Sequence, residues 1–160
     1  MTNAVSFRLN GKPVTVAYET RDVLADILAD HLHMRGIRVA CDQNVCGACS
    51  VLCDGEPVAS CSVFGFAAEG CEITTLEGLD RRIVTALRDS FAREIGFQCG
   101  FCTPGMLVTA TALLLHNSAP SRAEIVSWMS GNLCRCTGYD AILTAIERAA
   151  ASLCDGEKAA

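Results

Sequence analysis

The sequence predicts an α+β protein of two unlike halves, a small mixed sheet crossed by one helix and then a set of four helices. Three observations carry this reading. Asn10-Gly11 and Asp54-Gly55 each separate short apolar runs, which is the strongest short-range hairpin signal. Beyond residue 80 the apolar spacing changes to that of helices. The cysteines fall into groups rather than being scattered, which suggests loops built around a shared centre.

Taken in order, residues 5–9 and 13–17 are expected as strands flanking Asn10-Gly11-Lys12. Residues 22–33 carry Val23, Leu24, Ile27, Leu28 and Leu32 as one apolar stripe, with Asp22 in the first turn and Gly36 beyond the end, so a helix is expected there. A cysteine loop follows. Strands at 50–53 and 56–60 turn at Asp54-Gly55, and 71–79 supplies a last short strand. This half ends near 76–80, and the expected division is 1–78 and 79–160. In the second half Ile83, Val84, Leu87, Phe91 and Ile95 recur at helical spacing. Pro104 suits the first turn of the next helix. Ser121 with Glu124 forms a capping box for a helix over 121–130, and a fourth is expected over 139–153, ending before Asp155-Gly156.

The composition narrows the function. The chain has 160 residues, 51% hydrophobic and 19% charged, which is a globular balance with a real core. A net charge of −5 and the lack of a basic, aromatic-interleaved run argue against nucleic-acid binding. MTNAVSFRLN resembles neither a secretory nor a twin-arginine signal, and no apolar run is long enough for a bilayer, so the expected location is the cytoplasm. Eleven cysteines stand out. In a reducing compartment such grouping indicates metal binding rather than cross-linking.

Cys41, Cys46 and Cys49 have the C-x4-C-x2-C spacing of a plant-type [2Fe–2S] run, which needs a fourth cysteine downstream. The candidates are Cys53, Cys61 and Cys71. Cys53 lies at a strand end beside the Asp54-Gly55 turn and is read as core or surface. Cys61 lies where the returning strand comes back to the loop and is the expected ligand. Gly47 permits the positive-φ turn that aims backbone N–H groups at sulfur. Cys99 and Cys102 in QCGFCTPG, with Cys134 and Cys136 in NLCRC, form a second quartet. Cys-x-Cys suits a metal better than a disulfide. Four thiolates can hold an iron–sulfur cluster or zinc, and the plant-type run in the same chain favours iron. Two helix–loop–helix units side by side would bring CGFC and CRC together. Cys53, Cys71 and Cys154 are read as small buried or surface hydrophobes.

CDQNVCGACS with a later cysteine, then QCGFCTPGM, then GNLCRCTGY resembles the iron–sulfur subunit of the molybdenum hydroxylases, the xanthine oxidase, carbon monoxide dehydrogenase and aldehyde oxidoreductase family. The resemblance spans about residues 5–153. It implies a plant-type ferredoxin-like (β-grasp) domain followed by a four-helix [2Fe–2S]-binding domain. It implies two [2Fe–2S] clusters, on Cys41, Cys46, Cys49 and Cys61, and on Cys99, Cys102, Cys134 and Cys136. It further implies that Cys136 and Gln98 meet a molybdopterin (as the cytosine dinucleotide) held by a large partner subunit. FAD on a medium subunit, and a dimer of heterotrimers, complete the implied assembly. Electrons would pass from the molybdenum–pterin through the Cys99/Cys136 cluster, then the Cys41/Cys61 cluster, to FAD or another acceptor.

One departure is Ala40, where many relatives have Gly before the first ligand. With no molybdenum or flavin domain, the chain resembles a separate small subunit that does no bond chemistry itself. Eight bound thiolates and two clusters would bring its charge to about −9. Arg135, between two expected ligands, either offsets that charge or faces solvent or a partner. His31, His33 and His116 receive no ligand role. The rival functions are a free two-cluster carrier, against which the helical half argues, and a zinc-structured interaction module, against which the plant-type run argues. An exposed apolar surface around Gln98–Met106 and 132–139 would favour the subunit.

Overall fold

The structure is a computed structural model that describes residues 2–158. Five strands form one sheet: β1 (Thr2–Leu9), β2 (Lys12–Glu19), β3 (Ser50–Cys53), β4 (Glu56–Ala59) and β5 (Glu72–Thr74), in the order β2-β1-β5-β3-β4. β1 and β5 run parallel and the other neighbours antiparallel. Both expected hairpins are present. Asn10 and Gly11 have φ of 52° and 77°, and Asp54 and Gly55 have 51° and 89°. Positive φ at both central residues is the tight turn whose twist matches the strands. The last strand is shorter than 71–79. After Thr74 the chain leaves the sheet because Asn10 captures Thr75, accepting its backbone N–H at 2.9 Å, and residues 76–78 form a single 3-10 turn.

The expected helix over 22–33 is smaller. Only Leu24–Asp26 is α-helical (α1), and Ile27–His31 continues as a wider π turn. Leu24, Ala25, Ile27 and Leu28 are fully buried, so the apolar stripe is real. The turn widens as Leu32 N–H reaches back five residues to the Ile27 carbonyl, and His33, at φ 55°, ends it. Asp22 does not cap this helix. It folds back to accept the Glu19 N–H, and Asp26 accepts the Val23 N–H instead.

Four helices follow: α2 (Arg81–Arg93), α3 (Thr103–His116), α4 (Arg122–Met129) and α5 (Asp140–Lys158). Asp80 caps α2 through the Ile83 N–H. Pro104 sits in the first turn of α3, and the Ser121–Glu124 capping box opens α4. Two ends differ from expectation. Ile95 is not on the buried stripe of α2; it lies past the helix at φ 55° and is 71% exposed. Gly96 N–H bonds the Phe91 carbonyl there, so Ile95 occupies the left-handed closing position usually given to glycine. α5 continues through Gly156, since one glycine costs a helix only about 1 kcal/mol.

The sheet and α1 share one core, built on Val5, Phe7, Leu24, Ile27, Val51 and Ile73. The helices share a second, around Leu87, Phe91, Met106, Leu113, Met129 and Ile146. α3 belongs to both halves, because Val108 and Ala112 pack on Leu52 of β3. Positions 105–114 of α3 are all buried, so it is apolar all round, as a helix sandwiched between layers must be.

Candidate metal centres

The first cysteine loop, residues 41–49, turns sharply three times. Asp42, Asn44 and Gly47 take φ of 55°, 55° and 65°. Asp and Asn are the non-glycine residues that tolerate this region best. The turns point N–H groups inward, and those of Gln43 and Cys46 each reach the Cys41 sulfur at 3.4 Å. The Val45 N–H joins them, and together they lower the Cys41 thiol to about 7. Ala40, before this loop, does not take a positive φ, so alanine fits without strain.

Cys49 and Cys61 are buried on the inner side of this loop, and Cys41 and Cys46 are half-buried. Cys46 contacts Cys41, and Cys49 contacts Cys61. Burial raises the Cys61 thiol although the Asn44 N–H opposes it. Cys41 also bears on Cys61, so all four thiols share one neighbourhood.

The second quartet repeats this pattern. The Cys99 and Cys136 sulfurs lie 3.5 Å apart and are exposed, while Cys102 and Cys134 are half-buried and in contact. The Phe101 N–H and the Cys136 thiol lower Cys99, and Cys99 in turn raises Cys136. Burial and the neighbouring Cys134 push Cys102 up to about 12. Burial opposes ionisation of Cys134, but hydrogen bonds from the Thr137 hydroxyl and N–H outweigh it and bring the thiol down. The Tyr139 hydroxyl accepts the Cys134 N–H at 2.8 Å, fixing the CRC loop. Gln98 donates to the Cys136 carbonyl at 3.0 Å and so ties the CGFC loop to CRC.

The spacing of the donors bears on the choice between one ion and a two-metal core. A tetrahedral zinc needs four donors roughly 3.5–3.8 Å apart all round. Among the described residues, neither quartet brings three of its sulfurs within 4.8 Å of one another. The outer quartet brings Cys99 and Cys136 to 3.5 Å, and each quartet offers four thiol donors. That donor set fits a [2Fe–2S] core, with two thiolates for each of two irons and backbone N–H groups aimed at sulfur.

The two loops also touch. Leu133 N–H donates to the Cys46 carbonyl at 2.8 Å, and Asn132 donates its side-chain amide to the Gly47 carbonyl at 3.0 Å. Arg38 lies over the Phe101 ring, 6.0 Å from its centroid. Nothing in either loop's spacing specifies the other, so this seam is not legible before folding. Around the outer quartet Phe97, Phe101 and Leu133 are exposed, whereas Met106 is buried in the helical core. Arg135 is exposed. His31 bonds the Ala17 carbonyl and faces Asp22, and His116 packs on Trp128. Cys154 contacts the Ser118 carbonyl. Cys53 and Cys71, read separately in the sequence, lie together beside Asp54.

The fold and the two groups of four cysteines define the class of iron–sulfur-binding proteins. Residues 7–75 match the family described as 2Fe-2S iron-sulfur cluster binding domain, and residues 75–147 the family described as [2Fe-2S] binding domain. The chain belongs to the family of iron–sulfur small subunits of molybdenum hydroxylases. It is 42% identical over 142 residues to the nicotine 6-hydroxylase small subunit of Paenarthrobacter nicotinovorans, covering 89% of this chain and 86% of that one. It is 43% identical over 150 residues to caffeine dehydrogenase subunit gamma of Pseudomonas sp. (strain CBB1), covering 91% and 90%. The crystal structure of quinoline 2-oxidoreductase from Pseudomonas putida 86 superposes with a TM-score of 0.88 at 45% identity, covering 98% of both chains. Among the described residues no helix is long and apolar enough to cross a membrane.

Proposed function

We propose that this chain is the electron relay of a molybdenum hydroxylase, holding two [2Fe–2S] clusters between a partner's molybdenum–pterin site and FAD or another acceptor. Cys41, Cys46, Cys49 and Cys61 hold one cluster, within 1–78. Cys99, Cys102, Cys134 and Cys136 hold the other, within 79–160. When bound, each cluster supplies one-electron redox chemistry, and substrate chemistry belongs to the partner.

The observation that carries this reading is the Leu133–Cys46 hydrogen bond of 2.8 Å. Cys46 is a ligand of one centre, and Leu133 is bonded through its peptide to Cys134 of the other. One hydrogen bond and a short run of covalent bonds thus join the two centres, which is what a relay needs and two unrelated structural sites do not. Burial supports a direction. Cys99 and Cys136 are exposed beside Gln98, Phe97, Phe101 and Leu133, while Cys49 and Cys61 are interior. The outer quartet is the face offered to the pterin of a large subunit, with Gln98 holding the Cys136 carbonyl in place. A medium FAD subunit and a dimer of heterotrimers complete the assembly, in the cytoplasm. The names of the relatives given above favour an N-heteroaromatic substrate for that assembly.

The test is anaerobic purification, dithionite reduction, EPR and an iron count. Two distinct [2Fe–2S] signals and about four irons per chain are expected. Zinc with no EPR signal would sink the relay.

A further inference from the structure

We propose that Cys53, Asp54 and Cys71 form a third thiolate site, one that takes a single thiophilic divalent cation of the zinc type. Their two sulfurs and a carboxylate oxygen lie within 4.8 Å of one another, the one such set of three donors among the described residues. Donors grouped this closely make a partial ligand set for a single ion, which bound water completes.

The sheet register shows why these residues suit a metal and not a disulfide. β3 and β5 are antiparallel, with Cys53 opposite Ile73. Cys71 is two residues from that partner, so the cysteines are diagonal neighbours. Diagonal Cα atoms stand about 7–8 Å apart, at or beyond the span a disulfide closes without moving backbone. A metal bonded to each sulfur at about 2.3 Å bridges the longer gap.

The framework is rigid. Asp54 N–H bonds the Glu72 carbonyl at 2.9 Å, and Glu72 N–H returns to Asp54 Oδ1 at 2.8 Å. That fixes the carboxylate and leaves Oδ2 for a cation. Cys71 sits over a turn, its sulfur 3.6 Å from the Ala67 carbonyl and 3.8 Å from that of Glu69. Burial, then Cys71 and Asp54, push the Cys53 thiol up to about 11. Binding would release two thiol protons to solvent and leave two thiolates, one carboxylate and a water around the ion. Cys53 lies half-buried and Asp54 exposed, so an ion can enter.

The iron-loaded protein, with its partners, is titrated anaerobically with zinc sulfate against a competing chelator. About one zinc per chain is expected, with iron content and EPR unchanged. A Cys53→Ser/Cys71→Ser variant is expected to lose that zinc and keep its iron. A readout that needs no variant is iodoacetamide labelling with peptide mass spectrometry. Zinc is expected to protect Cys53 and Cys71 and leave Cys154 reactive. Equal labelling with and without zinc, zinc uptake only as iron is lost, or a native Cys53–Cys71 disulfide two hydrogens lighter each overturns the proposal.

Discussion

Replacing Gly105 by alanine sets two effects against each other, and the structure decides which wins. Gly105 lies in the first turn of α3, where alanine is the better helix former by up to about 1 kcal/mol. Propensity alone therefore predicts a more stable protein. The added Cβ, however, would run into the Gly47 carbonyl oxygen and stand 3.1 Å from the Ala48 Cα and carbonyl carbon. Those atoms are backbone and cannot rotate away. The Gly47 oxygen also accepts from Ser50 N–H at 3.2 Å, the Ser50 hydroxyl at 2.8 Å and the Asn132 amide at 3.0 Å. Overpacking costs about 1–3 kcal/mol, and weakening one of these bonds costs about 1 more. Against a gain of about 1, the net loss is about 2 kcal/mol. At about 2–4 °C per kcal/mol for a chain of this size, the melting temperature falls by about 4–8 °C. Thermal unfolding of the iron-loaded variant, followed by circular dichroism and visible absorption, measures this. An unchanged or raised melting temperature would refute the seam as a tight contact.

Cys61→Ser is expected to abolish one of the two EPR signals and about half the iron, while Cys53→Ser removes neither; the reverse result would make Cys53 the fourth ligand. Ile95→Gly is expected to stabilise by about 1 kcal/mol in thermal melts, because it relieves a β-branched residue in the left-handed region and uncovers no core. Burial works against the Glu77 carboxylate, yet the Thr75 hydroxyl and backbone N–H groups, including that of Gly36, hold it below its ordinary value of 4.5. A lowered folded value contributes stability above the unfolded one, and the contribution is lost as pH falls through the folded value. Glu77→Gln is thus expected to cost about 1 kcal/mol near neutral pH, allowing for solvent screening, and to flatten the acid side of the stability profile in denaturant melts. Equal slopes for the two proteins would count against it.

What was legible in the sequence follows from how local each signal is. Asn10-Gly11 and Asp54-Gly55 determine their turns by themselves, and Ser121–Glu124 caps its helix within three residues, so all three were readable. The 22–33 stripe picked out the buried Leu24, Ile27 and Leu28 but missed Ala25, included the half-buried Val23 and Leu32, and did not give the helix length, because the end depends on His33 adopting a positive φ. Ile95 fitted the apolar spacing of α2 and still fell outside it, since nothing in a hydrophobic period marks where a helix closes. Cysteine spacing suggested two quartets, and it could not suggest the Leu133–Cys46 bond between residues 87 positions apart. The proximity of Cys53 to Cys71 was not legible for a related reason: only the β3–β5 register brings them together.

α3 has a consequence for how such a chain can be inherited. Its Gly105 end fits the Gly47–Ala48 backbone, Val108 and Ala112 fit Leu52, and Met106 and Leu113 fit the helical core. A recombination event at residue 78 would deliver a sheet with Leu52 uncovered or a bundle with a bare stripe on α3, each shaped for a neighbour left behind. Exposed apolar faces of that kind invite aggregation. The two halves are therefore expected to travel through evolution as a pair, changing at their shared surface only by matched substitutions.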